Sequence, residues 1–195
     1  MVWRSVQNVG HRGGVTMESK VIEGAMGLFW TRGADQASDP EIQQATGLSR
    51  KELSQRWPDK NALIADALLH YRDTVLARML AELNPPGRAG LIQFWDKLDH
   101  IARQPGWSGC LLFRTASGPM GREPFVGAAF LAYLRDLTEA LAKCLAAEGH
   151  TKENARLAAM QAVALLGQIS LIGASQGWCP AAEDWIAAGR ATCGL

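Results

Sequence analysis

Apolar positions along the chain recur at the three-to-four-residue spacing of amphipathic helices, and no run alternates strictly enough to read as a strand. The pattern predicts an all-α protein. Val21, Ile22, Ala25, Leu28 and Phe29 form one face of a helix over 18–31, which Arg32 and Gly33 stop. Ser38-Asp39-Pro40-Glu41 then matches a Ser-x-x-Glu capping box, with proline in a first turn whose amide has no intrahelical acceptor. A short helix to about residue 46 should follow. Gly47 can take the left-handed conformation that ends a helix, and Ser49 to Glu52 offers a second capping box directly after it. Leu53 and Trp57 fall i, i+4 on this next helix, and Pro58-Asp59-Lys60 breaks it before a long amphipathic segment over 61–83.

Asn84-Pro85-Pro86-Gly87 is the clearest hinge. Beyond it helices are expected over 88–103, 108–117, 123–147, 151–175 and 181–192, with Gly and Pro clusters between them. The expected organisation is a flexible arm over 1–14, a three-helix unit over 15–75 that contains the motif at 38–57, and a larger helical domain over 76–195.

Composition narrows the function classes. The chain has 195 residues, 48% of them hydrophobic and 20% charged, enough to bury a core and to exclude a disordered or fibrous chain. A formal charge of +1 lacks the broad basic signature of a nucleic-acid binder, so any such role must be local. Cys110, Cys144, Cys179 and Cys193 include no C-x-x-C pair, which points to neither a zinc site nor a disulfide framework and fits a reducing cytoplasm. The first sixteen residues contain no continuous apolar block, so a secretory signal is not expected. The apolar stretch over 158–174 is interrupted by Gln161, Gln168 and Ser170 and reads as a buried helix rather than a membrane span, which needs roughly 20 residues. His11, His70, His100 and His150 lie far apart without metal spacing or a paired carboxylate, and no Gly loop cradles a phosphate. No metal, cofactor or enzymatic activity is expected.

Residues 38–57 meet the physical requirement of a helix-turn-helix: a capped helix, a Gly turn and a second capped helix. Ile42, Ala45, Leu48, Leu53 and Trp57 would face inward. Arg50, Lys51, Ser54, Gln55 and Arg56 are left for the outward face and the helix ends, where such side chains meet phosphates and base edges. Segment 49–56 holds three bases, Arg50, Lys51 and Arg56, against one acid, Glu52. The alternative is an ordinary helical hairpin in a bundle.

The run from VIEGAMGLFWTRG through SDPEIQQATGLSRKELSQRWPDKNALIADAL resembles the tetracycline-repressor (TetR) family of bacterial regulators. The elements that carry the resemblance are Leu28-Phe29 with Gly33, Ser38, Glu41-Ile42, Ala45, Gly47-Leu48-Ser49, Leu53, the aromatic Trp57, Lys60 and Leu63. GCLLFRTASG at 109–118 is similar to a segment of one branch of the family. The resemblance implies a homodimeric regulator, usually a repressor, that binds a palindromic operator and is released by a small hydrophobic or aromatic effector. The DNA-binding residues would be Ser38, Ser49, Arg50, Lys51, Ser54, Gln55, Arg56 and Lys60, and the dimer would form through the helices near 151–175 and 181–192. Two recognition helices then lie about one DNA turn apart, roughly 34–36 Å in the simplest case. The chain departs from the family at Lys51 and Glu52, where small residues are usual, and at Ser54, where a phosphate-contacting Tyr is usual. Lys51 and Arg56 can replace the lost contacts, and Glu52 is placed to cap. The alternative is a ligand-binding or protein-interaction dimer whose degenerate recognition helix no longer meets DNA.

Trp95, Trp107, Phe113, Phe125, Phe130 and Tyr133 fall where helices of such a fold enclose an effector, with Arg114, His100 and Gln168 as polar anchors; the same aromatics also suit plain core packing. Cys110 precedes Arg114 by one helical turn, which suggests a lowered thiol pKa, and some relatives with a similar segment sense electrophiles through cysteine. The other reading is a buried, inert thiol. Arg4 and Arg12 of the arm would suit minor-groove contacts, or the arm is a start-site artefact ahead of Met17.

Overall fold

Helix ends follow the punctuation in the chain. The computed structural model describes residues 17–195; the arm over 1–14, with Arg4 and Arg12, lies outside the described residues. Helices α1 (Met17–Arg32), α2 (Asp39–Thr46) and α3 (Arg50–Arg56) come first. Gly47 takes φ 70° and its amide donates to the Gln43 carbonyl at 2.9 Å, so α2 closes in the left-handed turn a glycine accommodates without a steric cost. Helix α4 begins at Lys60–Tyr71, passes through a π-helical turn at Arg72–Leu76, and finishes as Ala77–Ala81. The amphipathic pattern over 61–83 predicted the rod but not the extra residue in the π turn, within which the Thr74 hydroxyl donates to the His70 carbonyl at 2.6 Å.

The larger half follows the hinge: α5 (Arg88–Ala102), α6 (Leu111–Ser117), a 3₁₀ turn (Pro119–Arg122), α7 (Pro124–Ala147), α8 (Lys152–Gln176) and α9 (Pro180–Thr192). No strand occurs among the described residues. Helix α6 starts three residues later than its pattern predicts. Gly109 stands at φ 72° and Cys110 is extended, so residues 108–110 are a loop rather than a first turn.

One continuous core joins the halves. Val21, Ala25, Met26 and Phe29 of α1 are buried with Leu63, Ile64, Ala67, Leu68 and Tyr71 of α4, and the same cluster runs into Leu137, Leu141 and Leu145 of α7 and Ala155, Ala159 and Ala162 of α8. Within the first unit, Ile42 and Trp57 are buried as expected, while Ala45, Leu48 and Leu53 are half-buried. Helix α8 packs on both α7 and α9. The stretch over 158–174 was read as a buried helix, with a second copy as the natural cover for whatever surface the chain itself leaves open. One side is covered by α7 and α9, whereas Gln161, Ala164, Gln168 and Leu171 are exposed. By length and composition α8 is also long and apolar enough to cross a membrane.

Helix α3 has no fully buried residue, so its placement depends on its ends. At its C-terminus the buried Trp57 indole N–H donates to Asp66 Oδ2 of α4 at 2.8 Å. Asp66→Ala strands that donor and is expected to cost about 1–3 kcal/mol in urea unfolding. Asp66→Asn still offers an acceptor and should cost less; equal losses would show that the bond does not hold the tryptophan.

Candidate nucleic-acid interface and effector region

The surface of α3 is built by its caps. Ser49 is the N-cap: its Oγ accepts from the Glu52 amide at 3.3 Å, while the Glu52 carboxylate accepts from the Ser49 amide at 2.9 Å and from its hydroxyl at 2.6 Å. These bonds hold the Glu52 carboxyl below the ordinary carboxylate range, the serine hydroxyl contributing most. The cap expected of Glu52 is present. Ser38 and Glu41 repeat the arrangement on α2, with Glu41 Oε2 accepting from the Ser38 amide at 2.9 Å and from its hydroxyl at 2.7 Å, and Arg32 Nε donating to Glu41 Oε1 at 3.0 Å. The carboxylates of Glu41 and Glu52 are therefore engaged locally.

Arg50, Lys51, Ser54, Gln55 and Arg56 are all exposed. Among the described residues the side chains of Arg50, Lys51, Gln55 and Arg56 make no hydrogen bond or salt bridge, and Ser54 Oγ donates to the Lys51 carbonyl at 3.0 Å. Lys60 stands apart from this group. Its ammonium donates to the carbonyls of Asp35 at 3.2 Å and Ala37 at 2.6 Å, tying the loop after α1 to the start of α4. Ser38 and Ser49 are exposed but bonded within their caps, so of the eight residues expected, Arg50, Lys51, Gln55 and Arg56 have unengaged side chains and Ser38, Ser49, Ser54 and Lys60 each have a local partner.

The aromatic group expected to line an effector site divides. Phe113 of α6 meets Phe130 and Tyr133 of α7 edge-on, with centroids 5.2 and 6.3 Å apart, and Phe125 is half-buried on the same α7. Trp95 is elsewhere: fully buried on α5, its indole lies where a Cβ on Gly189 of α9 would overlap it. Trp107 packs its ring against Gly173 of α8. His100 is exposed on α5 and Gln168 is exposed on the outer face of α8, so neither is an anchor turned toward the Phe113 group. The physical reason is helical phase, since α8 is apolar on nearly every side and its composition does not say which side faces in. Arg114 is also not a free anchor. Nη1 donates to the Trp30 carbonyl at 2.8 Å and the Thr31 carbonyl at 3.2 Å, both at the end of α1. Surface cavities lie elsewhere, one of about 610 Å³ lined by Ser117, Pro119 and Arg122 and one of about 280 Å³ lined by Asn84, Asp136, Glu139 and Lys143.

Two residues beside this group were not anticipated from sequence. Tyr71 of α4 is buried near the Cys110 thiol, and Trp30 of α1 lies edge-on to Tyr71 with centroids 5.0 Å apart. Tyr71 recurs at helical spacing with Ile64, Ala67 and Leu68, which identifies it only as core. Burial pushes the Tyr71 and Tyr133 hydroxyls well above the ordinary phenol range. It also raises the Cys110 thiol, outweighing the lowering by the Tyr71 hydroxyl and by the Phe113 and Leu112 amides. Of the two readings of Cys110, these contacts favour the buried thiol over one lowered by Arg114, whose guanidinium is directed at α1.

No family model matches the sequence, and no curated protein is similar to it. Solved structures are similar in fold. A TetR-family transcriptional regulator from Streptomyces coelicolor, SCO4454, superposes with TM-score 0.77 at 18% identity, covering 91% of this chain and 94% of that one. A TetR transcriptional regulator from Legionella pneumophila gives TM-score 0.75 at 16% identity over 96% and 98%. A cysteine mutant of the TetR family regulator CifR, complexed with 26bp double-strand operator DNA, gives TM-score 0.71 at 20% identity over 90% and 94%. The chain thus has the fold of the TetR regulators, a helix-turn-helix unit followed by a larger helical domain.

A raised thiol reacts slowly at neutral pH, because the nucleophile is the thiolate. Cys110 is expected to alkylate with iodoacetamide at least about tenfold more slowly than a small-molecule thiol at pH 7, and to accelerate as pH rises toward its raised pKa. Mass spectrometry of the native protein measures this, and rapid labelling at pH 7 would contradict the burial argument.

Proposed function

We propose that this protein is a dimeric, cytoplasmic one-component transcriptional regulator, a repressor that binds a palindromic operator through α3 and is released by a small hydrophobic or aromatic effector. One observation carries the reading: the doubly capped helix-turn-helix presents Arg50, Lys51, Ser54, Gln55 and Arg56 together on an exposed helix. Its likeness in fold to a regulator solved on operator DNA supports it. DNA binding is assigned to 15–75 and effector binding and dimerisation to 76–195, a boundary that falls within the π turn of α4. The effector region is centred on Phe113, Phe130 and Tyr133, with Phe125 beside them. These are regulatory rather than catalytic roles.

The dimer is proposed through α8 and α9. Leu157, Met160 and Leu171 on α8 are 56%, 51% and 40% exposed, and Trp185 on α9 is 38% exposed, an apolar surface of the kind that marks an interface. Met160→Glu with Leu171→Glu should place unpaired charges in the joint and yield a monomer by light scattering. A double variant that remained dimeric would move the interface elsewhere.

Fluorescence anisotropy against DNA upstream of the protein's own gene tests operator binding. Affinity should fall steeply with salt, and Lys51→Ala or Arg56→Ala should each weaken binding about tenfold and lower the salt slope by about one per copy. A second reading, a ligand-binding or interaction dimer that no longer meets DNA, draws support from Ser38, Ser49 and Lys60 being occupied locally. No salt-sensitive binding at low ionic strength would favour it.

A further inference from the structure

The last carbonyls of a helix have no amide within that helix to bond, and at the end of α1 the donor comes from far along the chain. Arg114 Nη1 donates to the Trp30 and Thr31 carbonyls at 2.8 and 3.2 Å, placing a cation where the helix dipole is negative. The reverse connection is made beside it, where Trp30 Nε1 donates to the Gly109 carbonyl at 2.7 Å. Two segments about 80 residues apart in sequence are thus clasped in both directions.

The loop that receives Trp30 is itself pinned from the other side. A Cβ at Gly109 would run into the Ser170 carbonyl of α8, and one at Gly173 of α8 would lie 2.6 Å from the Trp107 ring and 2.7 Å from the Gly109 nitrogen. Residues 107–110 therefore fill the space between the end of α1 and the inner face of α8. There is little room for the loop to shift without moving one helix or the other.

We propose that Trp30 and Arg114 are positioning residues that fix the tilt of the three-helix unit against α8, and so set the operator half-site spacing the dimer accepts. This rests on the operator-binding reading above. The lever is long enough to matter: α1 has 16 residues, about 24 Å at 1.5 Å per residue, so a tilt of about 8° at its clasped end displaces the other end by about 3.4 Å, the rise of one base pair. Loss of the clasp broadens the range of tilts and relaxes spacing, while the bases read by α3 stay the same.

The experiment selects operators from a library with fixed half-sites and a spacer of variable length, using the full-length protein. Wild type should prefer one spacer over its neighbours by about tenfold; Trp30→Phe, which keeps an aromatic ring of smaller size and loses the N–H, and Arg114→Met should reduce that preference below about threefold. Arg114→Lys, which still donates to the carbonyls, should restore part of it. Variants that lower the melting temperature yet keep the wild-type spacer preference would overturn the proposal. A second measurement needs no DNA. Single-molecule energy transfer between dyes at residues 55 and 139, in labelled chains diluted into unlabelled protein, should show one narrow distribution for wild type and broader ones for Trp30→Phe and Arg114→Met. Unchanged widths would overturn the clasp. Wild type that selects no DNA would overturn the operator reading and the spacing consequence with it, while the dye distances still decide whether the clasp orients the unit.

Discussion

The carbonyls that close α1 need donors, and much of the relation between the two halves follows from where those donors come from. A helix end left without partners in a partly buried place is costly, because each stranded polar group loses its water without a replacement. Here the donor is Arg114 of α6, and the return bond from Trp30 to Gly109 means that neither half presents a finished surface alone. Both carbonyls are held by the single Nη1 of a guanidinium that stays charged and whose plane fixes the direction of its N–H bonds. Drawing the guanidinium away would strip the Trp30 and Thr31 carbonyls of their donor, so this contact is a direct chemical link from the larger domain to the three-helix unit.

Helix α3 poses the opposite problem. Seven residues are too few to hold a helix by intrinsic propensity, and α3 buries none of them fully. Its order comes from the Ser49–Glu52 box at one end and the Trp57–Asp66 bond at the other. The one acid of this helix is the one that makes the cap, and its carboxylate bonds back to Ser49 rather than standing alone among the basic side chains. A chain with a net charge of +1 can thus present Arg50, Lys51 and Arg56 on a small exposed face without a broadly basic surface.

Local signals were legible in the sequence, and contacts across the fold were not. The capping serines, Gly47 and the prolines that end or open helices act within a few residues, so the α2, α3, α5, α7, α8 and α9 boundaries were readable to a residue or two. The late start of α6 arises from Gly109 meeting Ser170, a contact between segments about 60 residues apart that no local pattern encodes. The site divides in the same way. Arg50, Lys51, Ser54, Gln55 and Arg56 could be assigned to an outward face by the phase of one short helix, whereas Lys60 is turned inward by carbonyls at 35 and 37 that the motif does not specify. Phe113, Phe130 and Tyr133 do meet, but Trp95 and Trp107 are claimed by Gly189 and Gly173, where close helix approach leaves room only for a ring.

Helix α8 connects these observations. Its inner side carries Ala155, Ala159, Ala162, Ser170 and Gly173, small residues that let neighbouring backbones approach, while Leu157, Met160 and Leu171 stand on the other side, exposed. An apolar helix covered along only one face remains unsatisfied in a single copy, and a second copy is the partner whose matching face is guaranteed to be present. The inner and outer faces are separated only by the helix itself, about 10 Å across with its side chains. The loop clasped to α1 and the surface proposed for dimerisation therefore lie on opposite sides of the same rod. A rotation of that rod would bear on Gly109 through Ser170, on Trp107 through Gly173 and on Phe113 through Gly167, and all three lie on the path to α1.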